Sequence, residues 1–256
     1  MILAVCASLQ FIAAAAVSQE TVPSVVLEEA PATPQTVEVS GARDPELKPY
    51  RSMLKGVDAF NEFHRLAPHA SLRFILQPAR ADQALEGATL QISSDKLSIP
   101  IPVHADGTFT LQRHKQAMDE NADIVSNKKK NSLRWRPDIH SPNLPANVRR
   151  LGDLRLECVI RWAVEKDDLP FVTRNAFRLV GGPCHSSMVA VLFHAPRRLS
   201  AVTAVSGERR ATLSLGKQKV SYIAPLHDMT WNDDTLLELT FEDHTSIAQT
   251  AGPAPQ

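Results

Sequence analysis

The sequence predicts a mainly β, α+β protein. It has two small β-sandwich-like subdomains, with an amphipathic helix docked at the N-terminal side. Three observations predict this. Short alternating apolar segments separated by turn residues recur through both halves of the chain. One continuous apolar stripe at helical spacing precedes them. A loop marked by Pro137, Pro142 and Pro145 separates an earlier subdomain, 47–145, from a later one, 146–245.

Residues 1–18 carry no charge, and Leu3 to Val17 is apolar apart from Ser8 and Gln10. Ala16 and Ser18 supply the small side chains that signal peptidase requires, so cleavage is expected after Ser18. The run lacks a leading Lys or Arg, and the residues after it are acidic and proline-containing rather than a basic stop. Export to a periplasmic or secreted location is the expectation, with no membrane span after cleavage.

Residues 19–46 hold Pro23, Pro31, Pro34 and Pro45 and are predominantly acidic, so a disordered or extended linker is expected. Within it, the seven residues Val37 to Arg43 (VEVSGAR) resemble the segment that opens the plug of TonB-dependent outer-membrane receptors. The rest of the chain lacks the length and the many amphipathic strands of a large barrel, so a short strand is expected there.

After Pro49, residues Tyr50, Met53, Leu54, Val57, Phe60, Phe63 and Leu66 recur at spacings of three and four, and Pro68 ends the run. This predicts a helix docked on the protein's own sheet. Strand-like segments come next at 71–77, 88–92 and 97–103. The turn His104-Ala105-Asp106-Gly107 then leads into a return strand at 108–111, predicting a hairpin between 97–103 and 108–111. This stretch ends in Asp106-Gly107-Thr108-Phe109-Thr110-Leu111. Through that motif, residues 70–112 resemble carboxypeptidase-regulatory-like (transthyretin-like) β-sandwich modules. The resemblance implies a non-catalytic small sandwich of the kind common in exported bacterial proteins, and it carries over no catalytic residue.

Residues 112–121 predict a short helix, and 122–126 is expected to pair with 132–136 across Asn127-Lys128-Lys129-Lys130-Asn131. Leu154 to Trp162 alternates and reads as a strand, with Leu154, Leu156, Cys158, Ile160 and Trp162 on one face. A short helix is expected at 171–180, stopped by Gly181-Gly182-Pro183. Strands are expected at 187–193, 199–206, 210–215, 220–224 and 235–241, and a frayed tail at 246–256.

Composition narrows the function. Lys+Arg and Asp+Glu both number 28, so the formal net charge is zero and no nucleic-acid partner is expected. There is no His-Glu-x-x-His, Gly-x-Ser-x-Gly, Cys-x-x-Cys, phosphate-binding loop or EF-hand loop, so no metal or other cofactor is expected. Once residues 1–18 are removed, Cys158 and Cys184 remain and predict one disulfide in an oxidising compartment. The enzymatic alternative is a thiol-dependent hydrolase with Cys184 as nucleophile and a distant base, His194 or His227.

Charge is segregated along the chain. Residues 126–161 hold nine Lys/Arg against three acids, whereas 226–256 hold six acids and no Lys or Arg. Lys128, Lys129, Lys130, Arg134, Trp135 and Arg136 form the candidate surface for an anionic ligand, joined by Arg149 and Arg150, with Trp135 as a stacking platform between two arginines. The opposing reading puts Leu133 and Trp135 in the core and the arginines in water. The expectation that results is a non-enzymatic cell-envelope protein, a binding or structural module. Its partner would be another envelope protein or an anionic envelope polymer. Membership of a secretion or uptake apparatus rests only on the TonB-like segment.

Overall fold

The computed structural model describes residues 44–80 and 83–242. The expected signal segment 1–18, the TonB-like segment and the tail 246–256 lie outside the described residues. None of the described helices is long and apolar enough to cross a membrane.

The described chain begins with strand β1 (Pro45–Pro49), so Pro45 and Glu46 of the expected linker already belong to a sheet. Pro49 caps helix α1 (Tyr50–Phe63), where its fixed backbone and missing N–H suit a helix start. The apolar stripe is the buried face of α1, with Tyr50, Met53, Leu54 and Ala59 inside. A 3-10 turn, His64–Leu66, closes the helix two residues before Pro68. Next come β2 (Ser71–Pro78), β3 (Leu90–Ser93), β4 (Ser98–Ile101), β5 (Thr108–Phe109), α2 (Lys115–Asp119), β6 (Asp123–Lys129) and β7 (Leu133–His140). The second half holds β8 (Val148–Arg150), α3 (Leu151–Glu165), a 3-10 turn (Lys166–Asp168) and α4 (Phe171–Leu179). It ends with β9 (Leu192–His194), β10 (Leu199–Ser206), β11 (Arg209–Thr212), β12 (Ser221–Ile223) and β13 (Leu236–Phe241).

All strand pairs among the described residues are antiparallel, and the fold is mainly β within an α+β class. The sheets run β1-β6-β3-β4, β5-β2-β7, β11-β10-β13-β8 and β12-β9. The first two sheets, with α1 and α2, feed one hydrophobic cluster built on Tyr50, Phe74, Phe109, Ile124, Trp135 and Ile139. The other two surround a second cluster of Leu151, Leu154, Leu199, Val202, Tyr222 and Leu237.

Two strand partnerships differ from the sequence reading. The expected hairpin does not pair 97–103 with 108–111. The turn itself is present, since the Asp106 carboxylate accepts hydrogen bonds from both the N–H and the hydroxyl of Thr108. Beyond it the chain crosses to β2, where Phe109 lies opposite Phe74 and its ring packs against Phe74 and Trp135. Burial of Phe109 selects the partner, and β4 pairs with β3 instead. Likewise β6 and β7 are consecutive but do not pair. The turn at Lys130 to Ser132 passes the chain from one sheet to the other, so β6 joins β1 and β3 while β7 joins β2.

The largest correction is α3. Leu154 to Trp162 is helical, not a strand. The alternation arises because the helix is buried on two sides. Leu151, Leu154 and Cys158 point into the second cluster at spacings of three and four. Leu156, Ile160 and Val164 point into the first at spacings of four. Residues two apart on a helix are about 200° apart, so two opposed stripes interleave into a run that mimics a strand. The polar positions between them are also buried. Asp153 accepts hydrogen bonds from the N–H and hydroxyl of Ser141 at 2.7 Å each. Arg155 donates to the carbonyls of Leu226, Asp228 and Trp231 and to the Asp233 carboxylate.

Helix α4 occupies the expected span, with glycines at 181 and 182 next to it in left-handed conformation. A disulfide joins Cys158 of α3 to Cys184 in the loop after α4, with the Cα atoms 5.7 Å apart.

Candidate functional site

Strand β7 organises the site. Its register against β2 runs from Ser71↔His140 to Pro78↔Leu133. Period-two alternation therefore puts Leu133, Trp135, Pro137 and Ile139 on one face and Arg134, Arg136, Asp138 and His140 on the other. The first face is core. Trp135 is 8 % exposed and meets Phe109 edge-on at 6.0 Å between ring centroids. It is not a surface stacking platform, and that part of the sequence reading is corrected. Its apolar ring is needed to cover Phe109.

The other face forms one wall of a cleft of about 370 Å³. Ile75 and Gln77 of β2 and Arg136, Asp138 and His140 of β7 line this wall. Glu157, Cys158 and Arg161 of α3, Arg149 of β8, Phe193 and His194 of β9, and Tyr222 of β12 complete the cleft. Its size lies at the small end of the range for small-molecule sites.

Of the candidate anion-binding residues, Arg136 and Arg149 line this cleft. Arg134 stands next on the same face of β7, exposed. The three lysines sit elsewhere, at the end of β6 and in its turn. Lys128 Nζ donates to the Glu86 carbonyl at 2.6 Å, and Lys130 Nζ lies 3.9 Å from Asp44. They therefore form no common patch with Arg136 around Trp135.

Electrostatics in the cleft are dominated by guanidinium groups. Arg136 donates to Glu165 at 2.5 Å, and Arg161 donates to the other oxygen of the same carboxylate at 3.0 Å. Burial, joined by the like charges of Arg161 and Arg134, pushes Arg136 down to about 10 against the pull of Glu165. His194 is lowered by burial and then by Arg134, Arg136 and Arg161. Arg149 donates through one terminal nitrogen to Glu157 at 2.7 Å and to the Ile139 carbonyl at 2.9 Å. Burial raises the Glu157 carboxyl, an effect that Arg149 and the Ile139 N–H only partly offset.

Two polar atoms of residues that line the cleft, the Tyr222 hydroxyl and Arg149 Nε, are shut off from solvent and have no hydrogen-bond partner among the described residues. Tyr222 is fully buried, and that burial pushes its hydroxyl up to about 12. A buried polar group without a partner costs about 1–3 kcal/mol. Such groups are uncommon enough in folded proteins to need a physical explanation.

Asp138, His140 and Glu157 bring potential ligand atoms within 4.8 Å of one another. Their donor set does not suit a cation. Asp138 accepts from Arg73 at 2.7 Å and lies 3.0 Å from His140 Nε2, and Glu157 holds Arg149. A metal ion there would displace or face two guanidinium groups.

Comparison with protein families, with curated proteins and with solved structures returns no match to this chain. The chemistry must be read from the cleft itself.

The thiol alternative finds its residues dispersed. Cys184 borders a second cavity of about 310 Å³ with His185 beside it. Its sulfur is bonded to Cys158, so it offers no thiolate. His227 is exposed and lines neither cavity, while His194 lines the first.

Arg149 and His194 were named from the sequence, one as an anion-binding candidate and the other as a distant base, whereas Glu157, Arg161 and Tyr222 were not; the five are scattered over more than seventy positions in no motif. The one usable signal was polar residues embedded in the apolar stretch Leu154 to Trp162, which a strand reading assigns to solvent.

Proposed function

We propose that this chain is an exported, non-enzymatic cell-envelope protein that binds a small ligand in the cleft between β7, α3, β9 and β12. The observation that carries the reading is the cleft itself, about 370 Å³ walled by Arg136, Arg149 and Arg161 together with Ile75, Phe193 and Leu239. A small ligand seated there would meet guanidinium groups and apolar side chains at once. The Cys158–Cys184 bond supports export, because disulfides persist in oxidising compartments. The uncharged apolar run at residues 1–18 supports it independently. The motif in residues 106–111, through its resemblance to non-catalytic sandwich modules, points the same way.

The test is mass spectrometry of the protein recovered from its native host, under denaturing and native conditions. The expected chain begins at Gln19, alkylates at Cys158 and Cys184 only after reduction, and carries a small-molecule adduct in the native spectrum. A retained N-terminus or a freely alkylating Cys184 would remove the export reading. An adduct-free protein that takes up nothing from a host metabolite extract would remove the binding reading.

A further inference from the structure

Building on that reading of the cleft, we infer that its ligand is an organic anion with a carboxylate or phosphate head and an apolar body. The head lies among the guanidinium groups of Arg136, Arg149 and Arg161.

The guanidinium groups set the polarity of the head. Every N–H of Arg136, Arg149 and Arg161 can only donate, so these lining residues ask for an acceptor oxygen. An ammonium head would add a like charge beside them.

The charge count sets the sign. Five arginines, Arg73, Arg134, Arg136, Arg149 and Arg161, stand on or beside the cleft against the carboxylates of Asp138, Glu157 and Glu165. Each carboxylate is already engaged by a guanidinium. Arg134 has no ion-pair partner among the described residues, and every charge that acts appreciably on His194 is an arginine. The surplus is positive. A cleft with low-dielectric walls strengthens that attraction.

The walls set the body. Ile75, Val191, Leu192, Phe193 and Leu239 line the same space. A bare inorganic ion would leave these side chains without apolar contact, whereas an alkyl or aryl group packs against them. The shared chemistry of the two heads is an oxyanion accepting two or more N–H or O–H donors, for which arginine forks are suited.

The experiment is calorimetric titration of the full mature chain, disulfide intact, at low salt and neutral pH. The probes are octanoate, octyl phosphate, inorganic phosphate, octanol and octylammonium. Saturable binding of octanoate, octyl phosphate or both, with octanol and octylammonium at least tenfold weaker, is the expected result; which probe is preferred identifies the head. Arg136→Gln removes a guanidinium that lines the cleft, so it should weaken the anionic probe about tenfold. Arg161→Gln should weaken it and flatten its salt dependence. Thermal melts of both variants check that the fold survives. Octanol or octylammonium binding as tightly as the anions would overturn the oxyanion head while leaving a ligand-binding cleft. Tightest binding of inorganic phosphate alone would overturn the apolar body. Should none of the probes bind while the native spectrum shows an adduct, the anionic class falls and the cleft reading stands. No binding and no adduct removes both.

Discussion

Gly56 of α1 lies so close to Val164 of α3 that a β-carbon on the glycine would sit 2.6 Å from Val164 Cγ2 and 3.2 Å from Ile160 Cγ2. The missing side chain is what lets the two helices close. Alanine is the better helix former by about 1 kcal/mol, so propensity alone favours Gly56→Ala. Overpacking costs about 1–3 kcal/mol and should win. The expected outcome in urea denaturation is net destabilisation. Combining Gly56→Ala with Val164→Ala should cost less than the sum of the two, because each variant relieves the other. A neutral Gly56→Ala would show that the helices can separate freely.

Gly152 is tighter still, because a β-carbon there would fall 2.1 Å from the backbone carbonyl oxygen of Leu66. A backbone atom cannot swing aside as a methyl can. The same residue's N–H donates to Asp233 O at 2.9 Å, which pins the start of α3. Gly152→Ala should lose at least about 3 kcal/mol, above the usual range for point variants. A thermal melt like that of the parent would refute this account of the α3 entry.

Arg155 places a buried guanidinium against three carbonyls and the Asp233 carboxylate, and so holds the segment from Leu226 to Asp233. Arg155→Lys keeps the charge but cannot reach four acceptors in that fork geometry. A loss of about 2–4 kcal/mol is expected for Lys, and a greater one for Ala, which strands the buried acceptors entirely. Equilibrium denaturation measures both. If Lys matches the parent, the fork geometry is immaterial.

The Cys158–Cys184 bond closes a loop with a sequence separation of 26. On the chain-entropy account this contributes about 3.5 kcal/mol by restricting the unfolded chain. Cys184→Ala should therefore destabilise the oxidised protein by that order and change the reduced protein much less. Equal losses in both states would make the contribution packing rather than crosslinking.

His194 should titrate below the ordinary imidazole range, through its burial and the charges of Arg134 and Arg136 on β7 and Arg161 on α3. The unfolded chain then binds a proton that the folded chain resists. Stability from this group is complete above the unfolded value, near 6.5, and is lost as pH falls through the window down to the lowered folded value. Proton NMR should show the low midpoint, and Arg161→Gln should move it upward. A midpoint unmoved by that change would mean that Arg161 does not act on the ring.

The sequence was legible where one periodicity served one burial surface. The stripe from Tyr50 to Leu66 has a single core to face, and it became α1 and its closing turn. The segment 199–206 faces one cluster and became β10, with a register shift between Leu199 and Ala201. Alternation around Trp135 correctly separates a core face from an arginine face, but not what the arginines meet. That depends on Arg149, Arg161 and Tyr222 arriving from three other elements. Where one element serves two cores, as α3 does, the summed pattern imitates the wrong period. Strand partners were also hidden, because Phe109 chooses its neighbour by long-range packing rather than by the turn before it.

Helix α3 shares its side chains between both hydrophobic clusters, presents Glu157 and Arg161 to the cleft, and carries one end of the disulfide. Severing the chain in the proline loop would therefore not liberate two autonomous pieces. The N-terminal fragment would lose Leu156, Ile160 and Val164 from its own interior, and the C-terminal fragment would display them to water. Melting should accordingly be a single cooperative event, with the backbone amides of α3 among the last to exchange with deuterium.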